Sequence, residues 1–258
     1  MQNPSPESRP PAALVTGAAQ RIGRAIALAL ARAGYAVAVH AHASRAQADA
    51  LCAEIAGFGG QARTVLADLA VHEAVLGLVA AARAAVGPLT LVVNNAGGFE
   101  RDQIEDLDRE RFDRHFAVNL RAPLFLAQAF AAQAPEGADA SVVNIVDQRV
   151  FKPTPQFLTY GLTKSALHTA TIMLAQALAP RVRVNAVAPG PTLPSPRQDP
   201  AAFARQAQAV PLGRGPTPAE IADAVLYLAQ ARSVTGATLA VDGGQHLAWR
   251  TPDVDVEE

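Results

Sequence analysis

Four short apolar runs constrain this chain most, because each breaks off abruptly in turn-forming or amide residues. They are A-L-V-T-G at 13–17, L-V-V-N-N-A-G at 91–97, V-N-I-V-D at 143–147 and V-N-A-V-A-P-G at 184–190. Runs of this kind read as strands, and the segments between them carry apolar positions at three- and four-residue spacing, the period of helices packed on one face. Strands are predicted near 12–16, 35–41, 62–67, 89–94, 141–147, 181–188 and 237–242, with helices between them. Such alternation implies a parallel sheet with helices on both faces, and the right-handed rule for crossovers restricts how it winds. The expected fold is therefore α/β, a doubly wound, seven-stranded, Rossmann-type sheet in a single domain over 12–250. In an open sheet of this type ligands bind outside the carboxyl ends of the strands, which is where the four runs end in Gly, Asn, Asp and Pro.

At 258 residues, half of them apolar, the chain can bury a full core without a second domain. Its net charge of −1 provides no electrostatic footprint for nucleic acid or an anionic membrane, and a small molecule is the expected partner. The single cysteine, Cys52, has no internal partner and reads as a small apolar residue on a helix in a reducing cytosol. Residues 1–11 are polar and proline-rich with no apolar h-region, so a disordered leader, a cytoplasmic location and no membrane span are expected. Residues 251–258 read as a mobile acidic tail.

The glycine turn that follows the first run, with Gly17 and Gly23, opens a helix, and helix N-termini present free N–H groups and positive dipole to a phosphate. Later, Asp147, Tyr160 and Lys164 stand at intervals of thirteen and four. Tyr160 and Lys164 project from one helix face, so the ammonium is expected to depress the phenol pKa and make it a usable proton donor. Asp147 has a competing reading as a simple cap or as the partner of a lysine or arginine. Cofactor choice follows from charge. Enzymes that use NAD place an acid after the second strand for the ribose 2′-hydroxyl, whereas this strand ends V-H-A-H-A-S-R. Arg21, His40, His42, Ser44 and Arg45 instead suit a 2′-phosphate, so NADPH is the expected cofactor. His40 and His42 have no nearby third ligand to complete a metal site, and no metal is expected. His72, His115, His168 and His246 are scattered and read as surface or hydrogen-bonded structural residues.

Taken together, the T-G-x-x-x-x-x-G turn, Asp68-Leu69, N-N-A-G at 94–97, Asn119, Tyr160 with Lys164, Pro189-Gly190 and V-D-G-G at 241–244 resemble the short-chain dehydrogenase/reductase family. The resemblance runs from about Ala12 to Leu247. It implies a cofactor site of Gly17, Arg21, Ile22, Gly23, His40, His42, Ser44, Arg45, Asp68, Leu69, Asn95, Ala96, Gly97, Tyr160, Lys164, Pro189 and Gly190. It also implies catalysis by Asp147, Tyr160, Lys164 and Asn119, the last opening the fourth helix to hold a proton-relay water. Two departures narrow it: Arg21 stands where the common turn has a middle glycine, and Asp147 where a serine is usual. Both look like pteridine reductases and bacterial dihydromonapterin reductases, which stack the pterin ring at the position of Phe99. The implied substrate site is Arg21, Phe99, Asp147 and Tyr160. Those enzymes usually read H-x-H-R-S after the second strand where this chain has H-A-H-A-S-R, which leaves open whether Arg21 or Arg45 makes the main 2′-phosphate contact.

The implied activity is NADPH-dependent reduction of a dihydropteridine. An ionised aspartate cannot donate a hydrogen bond to a ketone as serine does, which sets an NADPH-dependent carbonyl reductase second. A silent NADP-binding scaffold is the third reading. The proline-rich segment 189–200 is expected to be a substrate lid, and the resemblance implies a homotetramer with Trp249 or Arg250 at an interface near a partner's pocket.

Overall fold

The computed structural model describes residues 10–195 and 198–249. Arg250, residues 251–258 and residues 1–9 of the expected leader lie outside the described residues. Among the described residues, seven strands and eight α-helices follow the expected alternation. They are β1 (Ala12–Val15), α1 (Arg21–Arg32), β2 (Ala36–Ala41), α2 (Arg45–Gly57), β3 (Ala62–Leu66), α3 (His72–Val86) and β4 (Leu89–Asn94). The chain continues through α4 (Arg109–Phe116), α5 (Ala122–Gln133), β5 (Ala140–Ile145), α6 (Leu158–Leu178), β6 (Val182–Pro189), α7 (Pro200–Gln208), α8 (Pro218–Gln230) and β7 (Thr238–Val241).

All strands pair in parallel in the order β3-β2-β1-β4-β5-β6-β7. Every position of β1, β2, β5 and β6 is buried, as strands covered on both faces require. Two cores result. One gathers Ile26, Leu30, Leu51, Ile221 and Val225 under α1, α2 and α8; the other gathers Leu78, Val79, Leu126 and Phe130 under α3 and α5. The winding reverses between β1 and β4, so the crevice at their carboxyl ends is the one place where neighbouring connections leave in opposite directions.

That crevice is stitched by buried polar side chains, because the ladder runs out of partners there. The Thr16 hydroxyl donates to the Val93 carbonyl at 3.2 Å and accepts from the N–H groups of Asn95 and Ala96. The Asn95 amide donates back to the carbonyls of Thr16 and Gly17. One register deeper, Asn94 donates to Asn144 at 2.8 Å, and Asn144 donates to Thr171 of α6 at 2.9 Å.

Asn119 departs from expectation. It lies in a π-helical turn, Ala117–Arg121, between α4 and α5, and does not open a helix. Such single turns insert an extra residue and re-aim what they carry.

One buried cation has a purely structural task. Arg183 of β6 donates to the carbonyls of Leu228, Ala229, Ala231 and Val234 at the end of α8, and pairs with Asp139 at 2.9 Å. Helix carbonyls at a C-terminus have no partners of their own, and Arg183 supplies them. Arg183→Met is expected to cost about 3 kcal/mol of unfolding free energy, read by urea denaturation, because it strands those groups out of water.

Candidate active site

The glycine turn after β1 folds tightly. Gly17 has φ +61, and a Cβ on Gly23 would lie 2.3 Å from the Gly17 carbonyl oxygen. Arg21, at φ +56, holds a left-handed backbone where glycine is the easy choice, so a bulky cation is kept there against about 1 kcal/mol of backbone strain. Its guanidinium donates to the Leu193 carbonyl at 3.3 Å, tying the turn to the loop after β6. The first turn of α1 carries no acidic residue and no side-chain cap, so its N–H groups are left for an anion.

Two cavities, of about 520 and 440 Å³, share Arg21, Ile22, Asn95 and Gly97 and are the two ends of one cleft. The smaller is lined by Gly17, Gly23, His40, His42, Asp68, Leu69 and Ala96 among others. The larger holds Phe99, Asp147, Tyr160, Lys164, Pro189 and Gly190, with the loop after β6 and Phe203 of α7 on its far side. Of the residues singled out in the sequence, Ser44 and Arg45 line neither cavity: both sit at the start of α2, and Arg45 is exposed. His42 is exposed and faces Asp68 at 3.6 Å.

His40 takes a different part from the phosphate donor expected of it. It is 2% exposed, its Nδ1 accepts the Gly17 N–H at 3.1 Å, and its Nε2 lies 3.1 Å from the Ala67 carbonyl. Those partners fix the neutral tautomer with Nε2 as donor, and burial pulls its pKa down to about 4. Its ring shapes the turn from behind.

At the catalytic end, Asp147 caps the short 3₁₀ turn Gln148–Val150 through the Arg149 N–H at 2.9 Å and pairs with the Arg149 guanidinium at 3.1 Å. The competing reading of Asp147 is thus partly what the structure shows, yet the same carboxylate accepts the Tyr160 hydroxyl at 3.0 Å. Lys164 donates to the Ile145 carbonyl at 2.7 Å, and its Nζ lies 5.7 Å from the Tyr160 ring centre. The expected depression of the tyrosine does not occur. Burial first, then the Asp147 charge and its hydrogen bond, push the phenol well above its ordinary value, and only Arg149 opposes them. Lys164 is itself drawn down to about 8 by burial, which weakens the charge it was expected to exert.

The Asn119 side chain makes three hydrogen bonds. Its oxygen accepts the Gly98 N–H at 2.8 Å, and its amide donates to the Gly98 carbonyl and the Thr163 hydroxyl, both at 3.1 Å. It clamps the loop after β4 to α6, with both amide protons spent on that task. Phe99 stacks on Phe157 at 4.5 Å and meets Tyr160 edge-on at 4.8 Å, so one of its faces is covered by a residue the sequence did not single out. Phe157 and Arg149 carry no motif signal. What marks Phe157 is its left-handed backbone, φ +58, at the start of α6.

A family model described as enoyl-(acyl carrier protein) reductase matches residues 17–246. The crystal structure of FolM alternative dihydrofolate reductase 1 from Brucella canis, complexed with NADP, is 50% identical, with a TM-score of 0.91 over 95% of this chain and 97% of that one. An oxidoreductase of Methylorubrum extorquens is 38% identical over 240 residues, 90% of this chain and 96% of the relative. L-xylulose reductase of Mesocricetus auratus is 37% identical over 240 residues, 90% of this chain and 95% of the relative.

The His40 geometry generates a pH prediction. Unfolded, the imidazole takes its proton near 6.5; folded, near 4. The unfolded state therefore binds more protons between those values, so stability falls as pH drops from about 6.5 to about 4 and loses no more to this group below. His40→Gln is expected to flatten that part of the curve in urea denaturation carried out across the range.

Proposed function

The chain belongs to the short-chain dehydrogenase/reductase family, and from that premise we propose that it is an NADPH-dependent reductase of a dihydropteridine, dihydromonapterin- or dihydrofolate-like, giving the tetrahydropteridine. The observation that carries the reading is the Tyr160 hydroxyl on Asp147 at 3.0 Å, inside a cleft walled by Phe99 and Phe157. A carboxylate that accepts the tyrosine proton has none to offer a ketone oxygen, but it suits a ring system that is protonated on nitrogen. The Brucella protein named an alternative dihydrofolate reductase supports the same substrate class. A second reading, reduction of a small carbonyl compound, is favoured by the likeness to L-xylulose reductase.

The residues present fit NADP(H). The acid-free first turn of α1 and the glycine turn would hold the diphosphate, Asp68 and Leu69 the far end of the cleft, Arg21 a 2′-phosphate, and Lys164 the nicotinamide ribose. When bound, the cofactor supplies the hydride. Tyr160, held protonated by burial and Asp147, then delivers its proton to the substrate nitrogen as that nitrogen becomes basic, while Arg149 and Lys164 offset the phenolate left behind. The loop after β6, held by Arg21 at Leu193, serves as the lid.

The same proposal includes assembly as a homotetramer. Trp249 is 71% exposed on the single chain, on a segment anchored by Lys152 to the Ala248 carbonyl, and a neighbouring subunit would cover it. Arg250, the other residue expected at that interface, lies outside the described residues. As to membranes, no helix among the described residues is long and apolar enough to cross one.

Two measurements test the reading. NADPH absorbance with a dihydropterin should show turnover that Tyr160→Phe lowers by roughly two to four orders of magnitude with NADPH affinity near wild type. Asp147→Ser should abolish pterin reduction while keeping or improving ketone reduction; a wild-type protein that turns over ketones and no pterin selects the carbonyl reading.

Cofactor preference is a separate expectation. NADPH should exceed NADH in catalytic efficiency by roughly tenfold to a hundredfold, as one charge-assisted contact from Arg21 to a 2′-phosphate implies. Arg21→Gly should shrink that ratio while raising Tm, since it relieves the left-handed strain. Equal use of the two cofactors by the wild type would overturn the assignment.

A further inference from the structure

The carboxylate of Asp147 has an almost complete set of partners within the protein, and one residue supplies most of them. Its Oδ1 accepts the Arg149 backbone N–H at 2.9 Å and the Arg149 Nη1 at 3.1 Å; its Oδ2 lies 3.3 Å from the same Nη1 and accepts the Tyr160 hydroxyl at 3.0 Å. Arg149 in turn has no hydrogen-bond partner among the described residues other than Asp147, and its Nε is buried without an acceptor. Its guanidinium carbon lies 5.2 Å from the ring centre of Phe157 and 5.8 Å from that of Phe99. Two aromatic rings and one carboxylate therefore dictate where the cation sits.

From this geometry we propose that Arg149 is the positioning residue that holds Asp147 as an ionised, acceptor-only carboxylate aimed at Tyr160, so that the proton delivered to substrate leaves from the tyrosine oxygen and never from the carboxyl. The proton balance is simple. Tyr160 gives up its proton and becomes a phenolate, Asp147 stays unprotonated throughout, and solvent returns the proton to the tyrosine. The consequence for turnover rests on the reductase reading above; the state of the carboxyl does not.

Other charges face Asp147. Tyr160 and Lys164 approach from α6, and Arg21 and Arg101 line the same cavity from the glycine turn and the loop after β4. All but the tyrosine are cations, but Arg149 alone touches the carboxylate through both backbone and side chain. With side chains only 18% and 15% exposed, this pair is screened little by solvent.

The test follows the carboxyl carbon of Asp147 by ¹³C NMR in the full-length protein, its resonance identified by its loss in Asp147→Asn. In Arg149→Met the midpoint of that titration is expected to rise by at least one pH unit, with Arg149→Lys in between. The pH profile of kcat in Arg149→Met should gain a loss of rate on the acid side at that midpoint, while KM for NADPH stays within twofold. A midpoint that moves by less than about 0.3 units in Arg149→Met would overturn the proposal, leaving Lys164 as the group that controls the carboxyl. So would a moved midpoint with an unchanged kcat profile, since the carboxyl state would then have no bearing on proton delivery. If no pterin is reduced but a carbonyl substrate is, the profile is read on that substrate, and failure of the pterin reading is thereby separated from failure of this one.

Discussion

A parallel sheet buried on both faces forces every strand-to-helix turn to one edge, and at that edge the backbone runs out of ladder partners. The rest of this molecule depends on how those groups are satisfied. Thr16 and Asn95 close the gap between β1 and β4, Asn94, Asn144 and Thr171 carry the network on to α6, and His40 receives the Gly17 N–H from β2. Buried polar groups of this kind are costly when unpaired and rigidifying when paired. The same side chains that save the sheet from unsatisfied amides therefore fix the turn, the loop after β4 and the catalytic helix relative to one another.

The cleft inherits its chemistry from that rigidity. Asn119 is a strut between Gly98 and Thr163, and the buried Asp102 carboxylate accepts the Thr159 N–H at the start of α6, so the Phe99 loop and the helix bearing Tyr160 move together or not at all. Burial then sets the titration of the two functional groups in opposite directions. The tyrosine is driven up and the lysine down, because removal from water always disfavours the charged form. The result is a neutral proton donor beside a fixed carboxylate, with Arg149 rather than Lys164 as the nearest compensating charge.

Strain is placed where the two ends of the cleft need bulk. Arg21 and Phe157 are the positive-φ residues other than glycine among the described residues, and each lines the larger cavity. A left-handed backbone on a side chain this large persists only where its surroundings over-determine it. Here the Leu193 carbonyl and the Phe99 ring do so.

Fold class was legible in the sequence because it depends on local periodicity: apolar runs, glycine turns and helical spacing repeat along the chain, and the strand boundaries fall within a residue or two of expectation. That Gly17, Asp68, Asn95, Asp147, Tyr160 and Lys164 meet in one cleft was legible for a related reason, since the ends of parallel strands must converge on one edge. What tertiary structure alone decided is which partner each side chain meets there. The sequence places Tyr160 and Lys164 one turn apart, but only the folded chain shows the lysine spent on the Ile145 carbonyl and the tyrosine on Asp147. His40 looked like a free donor beside His42, whereas the sheet buries His40 inside β2 and leaves His42, one residue beyond the strand's end, exposed. Arg149 and Phe157 stand in no motif; they matter through contacts with residues that other elements bring to them, and no spacing along a chain encodes such a meeting.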